Sequence, residues 1–126
     1  MSFHAGANNV RVEDNHILRA TIPNEAGEMV EAELDLNSCI GNHNGSFRWE
    51  GQGYADSGDA FSFSFEGGGI PVLRAELKNV DGEGVPSDIN IAERISNQNG
   101  QLVFGNTISL FLSLSFSHIS DERMVN

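Results

Sequence analysis

Cysteine is nearly absent: Cys39 stands alone in 126 residues, so no intramolecular disulfide can form. Its neighbours Leu36 and Ile40 are apolar and no base lies close in sequence, which marks a buried structural thiol. Basic residues are scarce. Seven Lys+Arg face 18 Asp+Glu, a net charge of −11, and no basic run offsets the excess. Such a surface repels phosphate backbones and anionic headgroups, so no nucleic-acid and no membrane partner is expected, while neutral and cationic ligands remain open. No apolar run spans a bilayer as a helix; the uncharged stretch 107–116 has only ten residues. The first residues, MSFHAGANN, lack the basic and apolar regions of a secretory signal, and with a single cysteine this gives an expected cytoplasmic location, unconventional export apart. His4, His16, His43 and His118 fall at no metal or triad spacing, and no serine sits in a nucleophile elbow. The expectation is therefore a protein that is not an enzyme and carries no cofactor and no metal.

What the chain does have is a duplication. Residues 17–49 align with 72–104 without a gap, at an offset of 55 (72 minus 17). Identical pairs include Arg19/Arg74, Asn24/Asn79, Gly27/Gly82, Asn42/Asn97, Asn44/Asn99 and Gly45/Gly100. Each copy is too short to bury a core alone, so the two must share one or complete each other. The overall composition, 39% apolar and 20% charged, is that of an ordinary globular chain.

Period-2 patterning dominates both copies. Val30, Ala32, Leu34 and Leu36 alternate with Glu31, Glu33, Asp35 and Asn37, and the second copy repeats this over 85–92. Leu18, Ala20 and Ile22 form a further half-buried strand, matched by Leu73, Ala75 and Leu77. The Asn44-Gly45 and Asn99-Gly100 pairs suit tight turns because both residues tolerate positive φ. Short helical turns are predicted over 37–41 and 92–96. Strand-like lead-ins over 3–12 and 54–65 precede the copies, and Trp49 and Phe104 close apolar strands as core residues. The fold class is all-β, with two pseudo-symmetric halves. Residues 1–104 form the domain, and 105–126 form a C-terminal extension expected to be poorly ordered.

The stretch ELDLNSCIGNHNGSFRW at 33–49, with its echo DINIAERISNQNGQLVF at 88–104, resembles the cyanovirin-N homologue family, and the Ser2-Phe3-His4 start resembles its fungal members. The resemblance covers about residues 2–104. It implies two halves, each a three-stranded sheet plus a β-hairpin and each built from both repeats. It also implies a lectin that binds high-mannose oligosaccharides or glycoproteins through terminal α1-2-linked mannose. The family's founder carries two disulfides; the corresponding positions here are Ala7, Ile22, Gly58 and Leu77.

Carried over residue by residue, the resemblance places a first-half pocket at Ser2, Ala5, Gly6, Pro23, Glu25, Asn97 and Asn99. A second-half pocket falls on Gly41, Asn42, Asn44, Gln52, Gly53, Asp56 and Ser57, closed by Lys78, Asn79, Val80 and Gly82. The chemistry fits a hexose, whose hydroxyls each donate and accept and need interleaved amides and carboxylates. The second half keeps more of that chemistry. The same residues also have structural readings: Asn44 and Asn99 as turn formers, and Asn42 and Asn97 as backbone-bonding side chains.

Two other classes compete. A calcium-binding β module could use Asp81, Glu83 and Asp88, although the twin loop Ala26-Gly27-Glu28 lacks the leading acid. A structural protein without sugar sites is the other. The chain is expected to be a monomer, with a domain-swapped dimer conceivable across the 49–53 connection.

Overall fold

The computed structural model describes residues 3–105; Ser2 and the extension beyond 105 lie outside the described residues. Two antiparallel three-stranded sheets and two hairpins make up the fold. The first sheet is β1 (Asn8–Glu13), β2 (Ile17–Pro23) and β3 (Met29–Asp35), in that order. A hairpin follows, β4 (Ile40–His43) with β5 (Ser46–Trp49). The second sheet is β6 (Gly58–Glu66), β7 (Ile70–Lys78) and β8 (Gly84–Asn90). The closing hairpin is β9 (Ile95–Gln98) with β10 (Gln101–Phe104).

The offset of 55 carries β3, β4 and β5 onto β8, β9 and β10 residue for residue (29 to 84, 40 to 95, 46 to 101). The lead-ins follow a different offset, 51. Each of β1 and β6 bulges, between Asn8 and Arg11 and between Asp59 and Ser62, and each bulge holds a left-handed residue, Asn9 (φ 55°) and Ala60 (φ 53°). The middle strands β2 and β7 alternate strictly, burying Leu18, Ala20 and Ile22 in one sheet and Leu73, Ala75 and Leu77 in the other. Half-buried strands of this kind place one face on the core and one in water.

The hairpins cross over. β5 packs on β8 and β10 packs on β3, so each half combines a sheet from one repeat with a hairpin from the other. One contiguous core results, in which Leu18, Leu36 and Ile40 from the first repeat meet Leu73, Ile91 and Ile95 from the second. Tyr54 is fully buried at the join, edge-on to Phe47 (5.4 Å) and Phe61 (6.0 Å). Its hydroxyl donates to the Asn15 carbonyl at 2.6 Å, which satisfies the phenol in its apolar surroundings. Near the founder's disulfide positions the packing is apolar: Gly58 pairs with the buried Leu77 across β6 and β7.

Three features differ from the sequence expectation. The helical turns are 3-10 turns at Leu36–Ser38 and Ile91–Glu93, one residue earlier than expected and shorter. Asp35 and Asn90 fix these starts, because their side chains accept the N–H groups of Asn37 and Ala92 at 2.9 Å each. The lead-ins become strands only at Asn8 and Gly58. Before β6 the chain winds into a third 3-10 turn, Tyr54–Ser57, which follows the left-handed Gly53 (φ 76°). Trp49 and Phe104 are half-buried rather than core; their rings stack at 5.7 Å and the Arg94 guanidinium lies over both.

Candidate functional site

Each half carries one polar cluster where a sheet turn of one repeat docks on the Asn-Gly turn of the other. The sheet turns are built alike. Asn24 accepts the N–H groups of Ala26 (3.0 Å) and Glu28 (2.9 Å) on its side-chain oxygen, and Asn79 does the same for Asp81 and Glu83 (3.0 Å each). Short polar side chains of this type replace backbone partners in a tight turn. Gly27 and Gly82, at φ 83° and 81°, supply the left-handed step.

In the second half, Asn44 accepts the Val80 N–H at 3.0 Å. The Asn42 amide donates to the Lys78 carbonyl and to the Ser57 hydroxyl, both at 2.8 Å, while its oxygen accepts the Gly45 N–H at 2.8 Å. Gly41 bridges to Gly53, and a Cβ on Gly41 would stand 2.9 Å from the Gln52 nitrogen, so only glycine allows that approach. Asp56 closes the ring: its N–H donates to the Gly53 carbonyl at 3.1 Å, and its carboxylate lies 3.3 Å from where a Gly53 Cβ would be. Gly41, Asn42, Asn44, Gln52, Gly53, Asp56, Ser57, Lys78, Asn79 and Val80 are thus neighbours, with Gly82 at the outer tip of the turn.

The first half repeats the frame. Asn99 accepts the Glu25 N–H at 3.0 Å, Asn97 donates to the Pro23 carbonyl at 2.8 Å, and the Asn97 oxygen accepts the Gly100 N–H at 2.9 Å. The Pro23 ring lies 3.7 Å from where a Cβ on Gly6 would stand, which puts the exposed Ala5-Gly6 turn against this wall. Of the first-half residues only Ser2 falls outside the described residues.

These contacts divide the polar groups by task. Asn42, Asn79 and Asn97 spend both ends of their amides on the frame. Asn44 and Asn99 are both turn residues (φ 50° and 52°) and cross-links, but their amide N–H₂ groups remain open among the described contacts. Glu25, Asp56 and Lys78 form no ion pair among the described residues, whereas Arg11, Arg19, Arg74 and Arg94 all do. The exposed groups, not the framing amides, are the ones available to a ligand. Asn24 was missed by the sequence reading, although its identity with Asn79 at the repeat offset was the available signal. Asn37 was missed as well: its backbone and side chain hold Gly53 (2.8 Å) and Ala55 (3.0 Å) and so position the 49–57 connection.

Among the described residues no group of three or more His, Cys, Asp or Glu could hold an ion. Asp88, one of the three acids in the calcium reading with Asp81 and Glu83, pairs with Arg74 at 3.2 Å. Cys39 is buried, and that burial pushes its thiol up to about 11.

Comparison with known proteins matches these features to one family. The CVNH domain model covers residues 3–103. A cyanovirin-N homolog of Tuber borchii is 40% identical over 108 residues, spanning 82% of this chain and 99% of that protein. The solved Gibberella zeae CVNH superposes with a TM-score of 0.76 at 46% identity, over 81% of this chain and 95% of that one. Microvirin, solved with mannobiose, superposes with a TM-score of 0.74 at 25% identity, over 82% of this chain and 98% of that one. Crossed hairpins, two asparagine-pinned turns and a match over nearly the whole described region together place the chain in the CVNH family, among its fungal cyanovirin-N homologues.

Proposed function

We propose that this chain is a lectin that recognises mannose oligosaccharides, through terminal α1-2-linked mannose, by non-covalent contacts and without metal or catalysis. The carrying observation is the pinned frame. In each half two asparagines hold a turn that is bordered by exposed acceptors and donors: Glu25 with Asn99 in one half, Asp56, Lys78 and Asn44 in the other. A hexose offers hydroxyls that donate and accept at fixed spacing, and a rigid polar frame rejects isomers whose hydroxyls leave its groups unpaired. The mannobiose complex of microvirin supports the choice of sugar.

Small polar sites of this kind bind weakly one at a time. Two sites on one glycan array multiply affinity through effective concentration by roughly 10²–10⁴. Titrating the ¹⁵N-labelled chain with α1-2-linked mannobiose tests the reading. Amide shifts are expected at Val80, Asn44 and Asp56, at Glu25 and Asn99, or in both groups. No shift in either half at millimolar sugar sinks it.

A further inference from the structure

The two pockets share a backbone frame but exchange their walls. With the offset of 55, Glu25 and Val80 occupy one position: each donates its N–H to the equivalent asparagine at 3.0 Å, so each side chain leaves the frame from the same point. With the lead-in offset of 51, set by the matched bulges, Ala5 corresponds to Asp56 and Gly6 to Ser57, and both stretches border the frame, Gly6 against Pro23 and Ser57 bonded to Asn42. The first pocket therefore has a carboxylate on the turn and a small apolar residue on the bordering stretch. The second has an isopropyl group on the turn and a carboxylate on the bordering stretch. Val80 is the most exposed large apolar side chain described, at 84%. Beside it, Lys78 stands where the first pocket has the Pro23 ring, adding an ammonium without an ion pair among the described residues.

We infer that the pockets select different sugars, Val80 being the selecting residue. The second pocket prefers a hexose with an acetamido substituent, and the first prefers an unsubstituted hexose. This rests on the carbohydrate-binding reading above. An acetamido group has three parts, and the second pocket has a complement for each. Its methyl covers Val80, its N–H donates to a carboxylate such as Asp56, and its carbonyl accepts from an ammonium such as Lys78. At the first pocket the methyl would meet the Glu25 carboxylate and strip water from it without replacing the lost bonds. Burying one methyl-sized apolar group changes affinity by about fourfold, which sets the smallest preference expected.

The test titrates the ¹⁵N-labelled full chain with methyl α-mannoside, with N-acetylglucosamine and with α1-2-linked mannobiose, reading each half separately. Amides of Asn44, Asp56 and residue 80 should report at least about fourfold tighter binding of the acetamido sugar than those of Glu25 and Asn99. Val80→Glu should abolish that preference while leaving the first half unchanged; at so exposed a position it does not threaten folding. Glu25→Val should raise the acetamido response of the first half. Both halves titrating alike with N-acetylglucosamine, or a preference unmoved by Val80→Glu, overturns the inference while a mannobiose response keeps the lectin reading. No response to any of the three sugars overturns both.

Discussion

Replacing Asn42 by alanine tests whether the pocket asparagines are framing groups. Its side chain makes three bonds of 2.8 Å, to the Ser57 hydroxyl, the Lys78 carbonyl and the Gly45 N–H, in a half-buried setting. Each bond contributes about 0.5–1.5 kcal/mol net, so Asn42→Ala should cost about 2–4 kcal/mol. Its twin Asn97 makes two, to the Pro23 carbonyl and the Gly100 N–H, so Asn97→Ala should cost about 1–3 kcal/mol. Ser57→Ala removes one of the three bonds and should cost about 1 kcal/mol. Asn42→Asp keeps the acceptor for Gly45 but turns a second oxygen on the Lys78 carbonyl, so it should be no milder than alanine. Urea unfolding followed by fluorescence and circular dichroism gives these differences, provided the m-value stays constant across the series. The order Asn42 above Asn97 above Ser57 follows from counting bonds. An Asn42→Ala cost below about 0.5 kcal/mol, or Asn97 exceeding Asn42, refutes the reasoning.

Gly45→Ala and Gly27→Ala separate backbone strain from crowding. Both have positive φ, 91° and 83°, but a Cβ on Gly45 would stand 2.9 Å from the Val85 Cβ, while nothing lies within 4 Å of one on Gly27. Thermal melts should give about 1–2 kcal/mol for Gly27→Ala from the left-handed backbone alone. Gly45→Ala should cost about 2–5 kcal/mol, the crowding adding to the strain. Glu66 is held down to about 2 by its bonds to Arg74 and Ser64. A depressed carboxylate stabilises the fold above its ordinary value of 4.5, and that contribution disappears as pH falls toward 2. Arg74→Ala should therefore return the Glu66 carboxyl titration, followed by ¹³C NMR, toward 4.5. Cys39, buried and pushed up to about 11, should react with a thiol reagent at pH 8 only as fast as the protein unfolds; rapid labelling of the native chain would contradict its placement.

Much of the fold was legible because β-patterning is local. Alternation along 17–22 and 30–36 assigns strand and buried face together, since side chains on a strand switch sides at each residue. The gapless offset of 55 likewise made β3 to β5 and β8 to β10 interchangeable before any contact was known. The 3-10 turn at 54–57 was not legible, because it depends on Gly53 taking a left-handed backbone and on Asn37, some 16 residues away, holding it there. Trp49 reads as core because it closes an apolar strand; Arg94 and Phe104, brought from the other repeat, determine its actual setting.

The sequence by itself determined the class, the repeat and the Asn-Gly turns, because side-chain period and φ preference act within a few residues. The candidate sugar contacts came from resemblance to the family. Only the tertiary structure decided which of those residues belong together and what each one does. Crossing the hairpins sets the asparagines of one repeat on the turns of the other, 36 positions away for Asn44 and Val80 and 74 for Glu25 and Asn99. That long-range pairing converts candidate ligand-binding amides into a frame and leaves Glu25, Asp56, Lys78 and Val80 facing outward. A hydrogen bond between distant residues has no local pattern to announce it; the shared core, formed because neither repeat can bury one alone, brings them within reach.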